Sequence, residues 1–120
     1  MNKIFISGHL TKSPELRYTA NQKVVATFTL AVNRPFLNKD GVKEADFIPV
    51  VVWGKTAEVV NHHCTKGQKL LVEGRVQVRS YEDKSGEKRW MTEVVGDKVE
   101  FLERKSASTD SYANPNDIPF

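Results

Sequence analysis

The chain has 120 residues, 39% of them hydrophobic and 28% charged, with 18 Lys and Arg against 15 Asp and Glu. That length fits one domain with a real core, its apolar runs are too short for a transmembrane helix, and a single cysteine, Cys64, excludes an internal disulfide. All 18 bases but only 13 of the 15 acids fall in residues 1–105, while residues 106–120 hold Asp110, Asp117 and no base. A basic body with an acidic tip suits an anionic partner for the body. Met-Asn-Lys leads straight into Ile4-Phe5-Ile6, too short and strand-like for a secretory signal, so a reducing cytoplasm is the expected compartment.

The first element is a short strand around Ile4-Phe5-Ile6, ended by Gly8 as a candidate bulge. Lys12-Ser13-Pro14-Glu15 is a turn, Leu16-Arg17-Tyr18 a strand stub and Ala20-Asn21-Gln22 a second turn. Val24 to Val32 alternates: Val24, Ala26, Phe28, Leu30 and Val32 face one way, Val25, Thr27, Thr29 and Ala31 the other. Residues 33–44 are polar, carry Pro35 and Gly41, and read as a long hairpin loop holding Arg34, Phe36, Lys39 and Lys43. Phe36 among bases either folds back onto the domain or serves a surface function.

Ala45 to Lys55 is the strongest strand signal in the chain. Period-2 alternation puts Phe47, Pro49, Val51 and Trp53 on one face and Asp46, Ile48, Val50 and Val52 on the other. The second set reads as mostly core. The first places two rings on one side, six residues apart, as further core or as a platform for a flat ligand.

Thr56 to Lys66 reads as the one good helix, with Ala57, Val60 and Cys64 on a common face and Gly67 as its stop. His62, His63 and Cys64 invite a metal reading. Adjacent helical positions face different directions, however, and no second Cys supplies zinc spacing, so no metal or cofactor is expected. Gln68 to Tyr81 is a long strand with Leu70, Val72, Gly74, Val76 and Val78 toward the core. Leu71, Glu73, Arg75, Gln77, Arg79 and Tyr81 face outward. Residues 82–87 form a hairpin turn, Lys88 to Val95 returns with Trp90, and Val99 to Leu102 closes the domain. About five strands with one helix between the third and fourth is the order of an all-β, five-stranded OB-fold Greek-key barrel. Residues 1–105 are the expected domain. Residues 106–120, small and polar with two prolines, are an expected disordered tail. It ends in an apolar plug, Ile118-Pro119-Phe120, after Asp117.

The segments PELRYT (14–19), VATFTLAVNRPF (25–36), ADFIPVVVWGKTAE (45–58), KGQKLLVEGRVQVRSYE (66–82), TEVV (92–95) and DIPF (117–120) resemble, in order, those of bacterial-type single-stranded-DNA-binding proteins. The resemblance implies an OB barrel, assembled as a homotetramer, that binds single strands with little sequence preference, performs no chemistry and acts at the nucleoid. It places base-stacking rings on Phe36, Phe47, Trp53 and Tyr81, with Trp90 assisting. Cations along the strand path fall on Arg34, Lys55, Lys66 and Arg79, and the outward parity of the long strand adds Arg75. It also makes Asp117, Ile118, Pro119 and Phe120 a docking tip for replication, recombination and repair proteins. The tail is shorter than the family's linker, and the tip has fewer acids. Pro49 stands where a polar residue is common, which implies an unpaired or bulged strand there. Two other classes compete with this reading. One is a primosome-type accessory module that docks proteins, which the tip opposes. The other is a small enzyme using His9 as a base, for which no partner group is recognisable.

Overall fold

The computed structural model describes residues 1–102, and the expected tail with its tip lies outside the described residues. Six strands and one helix run in the order β1 (Ile4–Leu10), β2 (Glu15–Tyr18), β3 (Val24–Leu37), β4 (Lys43–Trp53), α1 (Gly54–His63), β5 (Lys69–Glu82) and β6 (Lys88–Phe101). The sheet order β1-β5-β6-β4-β3 closes on itself because β1 also pairs with β3. This is a five-stranded OB-type barrel. The stub at Leu16–Tyr18 is a real sixth strand, β2, antiparallel to the start of β3. Counting it places the helix between the fourth and fifth strands. Apart from it, the expected order holds.

Every pairing is antiparallel except the short parallel seam that joins Val50–Val52 of β4 to Val94–Gly96 of β6. The alternating apolar residues of each strand meet inside the barrel. Leu30, Val50, Val52, Leu70 and Val72 are fully enclosed, with Ala57, Val60 and Cys64 of α1 packed onto them. The helix runs from Gly54 to His63, starting two residues earlier and ending three earlier than the sequence suggests. Gly67 does not stop it. That residue lies in the following turn, where its N–H donates to the Leu10 carbonyl at 2.8 Å and ties the turn to β1.

Several expectations need correction. Gly8 is no bulge: β1 runs in unbroken register against β5 from Ile4 to His9. A side chain at Gly8 would strike the carbonyl of Ala31, so its bareness is what lets β1 close against β3. The register shift in this part of the barrel falls instead at Glu73/Gly74. Pro49 stays in register with Thr29, and the pairing of β4 with β6 begins one residue later at Val50. The missing N–H thus sits where the second ladder has not yet begun, without a bulge. Val78 is 58% exposed, because β5 leaves the barrel after Val76 and continues as an arm with β6.

Residues 33–44 are mostly strand, not loop: β3 reaches Leu37, β4 starts at Lys43, and the turn between them is residues 38–42. The composition misleads because polar pairing, not apolar burial, holds this arm. Arg34 donates through Nη2 to Asp46 Oδ1 and through Nη1 to Glu44 Oε1, each at 2.9 Å. The Asn38 Oδ1 accepts from the Asp40 and Val42 amides at 2.9 Å and closes the turn.

Candidate nucleic-acid interface

The outer face of β4 carries the candidate site. Val25, Thr27, Thr29 and Ala31 of β3 lie opposite Trp53, Val51, Pro49 and Phe47 of β4. Arg17 of β2 pairs with Val25, and Glu15 with Thr27. On the other side, Val51 pairs with Val95, which in turn faces Arg75 of β5. Gln77 and Glu93, then Arg79 and Met91, continue that face. The sheet curvature turns this surface into a groove with two hollows of about 410 and 340 Å³ that share Arg17, Thr27, Val51, Arg79 and Glu93.

Trp53 lines the first hollow together with Tyr18, Gln77 and Arg79. It is the last residue of β4, and Gly54, at φ +62°, turns the chain straight into α1. The indole, 45% exposed, therefore stands at the groove's end. Phe47, 66% exposed, lies on the same face. It sits six residues back, about 20 Å at the usual strand rise, and outside the hollows. Alternation thus names both rings on one face, and the structure leaves both exposed where burial in the core was the other possibility. Val25 departs from the same pattern: it belongs to the outer face yet is buried in the groove floor.

The remaining rings spread along the two arms. Phe36 is exposed near the end of the β3–β4 arm. Tyr81 follows Arg79 on the groove-side parity of the β5–β6 arm, opposite Arg89. Trp90 pairs with Ser80, so it lies on the other face of that arm from Tyr81, with the Lys88 ammonium 5.6 Å from its ring centre. The rings do not form one contiguous patch: Trp53 and Phe47 share a face, and Trp90 stands apart.

The cations divide similarly. Lys55 is exposed in the first turn of α1, and Lys66 is exposed in the turn before β5. Arg34 is committed to Glu44 and Asp46. The hydrogen bond and charge of Arg34 hold the Asp46 carboxyl below its ordinary pKa, and Asp46 raises that of Arg34. Arg75 touches Gln77 Oε1 through Nη1 at 3.4 Å. Arg79 donates through Nε to Glu93 Oε2 at 3.0 Å, and Gln77 Nε2 donates to the same oxygen at 3.0 Å. Glu93 is only 3% exposed and is the one charged side chain among the buried described residues.

Sequence reading missed Glu93, Arg17 and Tyr18 as groove residues. Glu93 sits in the matched segment TEVV, and its parity with Met91 and Val95 was the available signal. Arg17 and Tyr18 belonged to a stub too short for periodicity to place.

At the far end of the β5–β6 arm, Asp83 fixes the turn. Its Oδ1 accepts from the Ser85 and Glu87 amides, and its Oδ2 accepts from Arg89 Nε, all at 2.9 Å. The Arg89 hydrogen bond, then that of the Glu87 amide, pull the Asp83 carboxyl below its usual range against the opposing effect of burial, with lesser help from Ser85.

Residues 1–102 match the model of the single-strand binding protein family. Among curated proteins, the chain is 50% identical over 115 residues to single-stranded DNA-binding protein 3 of Clostridium acetobutylicum, covering 95% of this chain and 79% of the relative. It is 50% identical over 116 residues to single-stranded DNA-binding protein 2 of Listeria monocytogenes, covering 97% and 72%. The single-stranded DNA-binding protein of Bacillus cereus is 46% identical over 119 residues, with 99% and 70% covered. With its closed five-stranded barrel, this chain belongs to the single-strand binding protein family.

Proposed function

We propose that this protein binds single-stranded DNA with little sequence preference, along the groove face of β3, β4, β5 and β6. The observation that carries the reading is the pair of exposed rings, Trp53 and Phe47, on one face of β4 beside a cation-lined groove. Stacking on such rings contributes roughly 1–3 kcal/mol per base and tolerates any base, since every base has a π face. Phe36, Tyr81 and Trp90 extend the path along the arms. Lys55, Lys66 and Arg75 meet phosphates, with Arg34 and Arg79 beside them. A duplex hides its base faces and cannot use the rings.

The family and the resemblance support the finer parts of the reading: a homotetramer, no catalysis, and cytoplasmic service in replication, recombination and repair. On this reading residues 1–105 bind DNA. Residues 106–120 are a tail whose tip, Asp117, Ile118, Pro119 and Phe120, recruits partner enzymes. No helix among the described residues is long and apolar enough to cross a membrane.

The test is a titration of tryptophan fluorescence, from Trp53 and Trp90, with oligo-dT and with duplex of equal length at two salt concentrations. Strong quenching and salt-weakened binding by oligo-dT alone are expected. Equal affinity for duplex, or no quenching by either, overturns the reading and moves a protein-docking module to the front.

A further inference from the structure

We infer that Arg79 serves the single strand as a flat stacking surface and not as a phosphate counterion, and that the buried Glu93 is the positioning residue that makes it so. The inference rests on the single-strand reading and changes the role that the sequence gives Arg79.

Three observations support it. First, the charge of Arg79 is already matched: its Nε lies 3.0 Å from Oε2 of a carboxylate that is almost wholly enclosed. A phosphate arriving at Arg79 would meet the Glu93 charge as well, so the pair offers little net attraction. Second, the contacts of Arg79 use one edge of the guanidinium. Nε meets Glu93, and Nη2 points at Met91 Sδ at 3.5 Å. Gln77 holds the same carboxylate oxygen from a second direction and so steadies the anchor. A planar group held by its edge leaves its faces for packing. Third, the Arg79 side chain is 50% exposed and lines the hollow that also holds Trp53. Guanidinium planes stack on aromatic rings and are weakly hydrated, which an ammonium is not. The groove thus presents two flat surfaces, one indole and one guanidinium, with the second neutralised from below.

The two roles separate by salt and by shape. A phosphate counterion contributes about −0.7 to the slope of log affinity against log salt for a single strand. We expect R79A to weaken oligo-dT binding at least fivefold at every salt concentration with the slope unchanged. R79K should fall within twofold of R79A, because lysine restores the charge but not the plane. E93Q keeps the shape of the anchor while removing its charge, so it frees the Arg79 charge and should steepen the slope by about 0.7. R79A binding like the parent, a slope shallower by about 0.7 in R79A, or recovery of affinity in R79K would overturn the role of Arg79. An unchanged slope in a folded E93Q would overturn that of Glu93. Melting curves establish folding. If E93Q does not fold, E93D takes its place: it keeps the charge but draws the carboxylate back from Arg79 Nε, and parent-like affinity in a folded E93D would overturn the role of Glu93. Failure of the parent protein to prefer oligo-dT over duplex would mark the single-strand reading itself as the error, and this inference would fall with it.

Discussion

The barrel and its two arms are built from the same strands but held by different forces. Inside the barrel, β3 and β5 bury alternate side chains completely, as at Leu30 and Leu70. A few residues further along, the same strands bury almost nothing. The β3–β4 arm is held by Arg34 with Glu44 and Asp46, and the β5–β6 arm by Asp83 with Arg89. Exposed ion pairs contribute little to global stability. The arms are therefore extensions whose side chains are free to serve a ligand, and the barrel supplies the stability that keeps them presented. Phe36, Phe47, Tyr81 and Trp90 stand where burial has stopped.

That division is open to attack at both ends. The largest effect belongs to the barrel: Leu30→Ala should cost about 2–5 kcal/mol of stability, read by chemical denaturation, whereas Phe36→Ala should stay within about 0.5 kcal/mol of the parent. A comparable loss from Phe36→Ala would show that the arm is part of the cooperative core. Next, Trp53→Ala should weaken oligo-dT binding by about 1–3 kcal/mol, roughly 5- to 150-fold, with the melting temperature nearly unchanged. Unchanged affinity in a folded protein would return Trp53 to the barrel's structural inventory. Trp90→Ala should cost less, about fivefold or under, because Trp90 lies on the far face of its arm. A loss equal to that of Trp53→Ala would mean that the strand wraps around the arm.

The smallest effect is local and depends on pH. Asp83 has a carboxyl whose folded value lies below its unfolded one. Its contribution is therefore fully present above the ordinary aspartate range and fades as pH falls through the lowered folded value. The protection factors of the Ser85 and Glu87 amides, taken against the intrinsic exchange rate at each pH, should hold until the pH has passed below that range and then fall, while the barrel amides remain protected. Asp83→Asn should remove this pH response. A transition centred at the ordinary aspartate value would show that the Arg89 contact does not hold the carboxylate in solution.

How legible all this is in the sequence depends on which force fixes each part. Alternation alone places Phe47 and Trp53 on one face of β4, because a half-buried strand writes its geometry in period 2. It also finds the core residues of β3 and the first half of β5. It fails at Val78, where the pattern continues after the barrel has ended. It fails again at residues 33–37, where a strand is held by polar cross-strand pairs that composition cannot tell from a loop. Glu93 is hard to read for another reason. A glutamate in a strand looks solvent-facing until the pairing of β5 with β6 sets Gln77 opposite it and Arg79 beside it, a register that composition does not show. The single-strand resemblance places the proposed stacking rings and cations by segment, but it carries no sign that Arg34 and Arg79 are each committed to an acid.

The parallel seam has a consequence for how the barrel opens. Only three residue pairs join β4 to β6, against a ladder that runs almost the full length of β5 and β6. Local openings begin where few contacts must break, so this seam and the two-pair join of β1 to β3 are the places where the barrel opens most readily. The parallel seam also runs beneath the groove, with Val51 and Val95 in its walls, Trp53 two residues beyond one side and Glu93 two residues before the other. A strand of DNA lying across the groove would bridge that join as a staple bridges two sheets of paper. Ligand would then slow hydrogen exchange at Val51 and Val95 more than in the β5–β6 ladder, and part of the binding energy would appear as resistance of the barrel to coming undone.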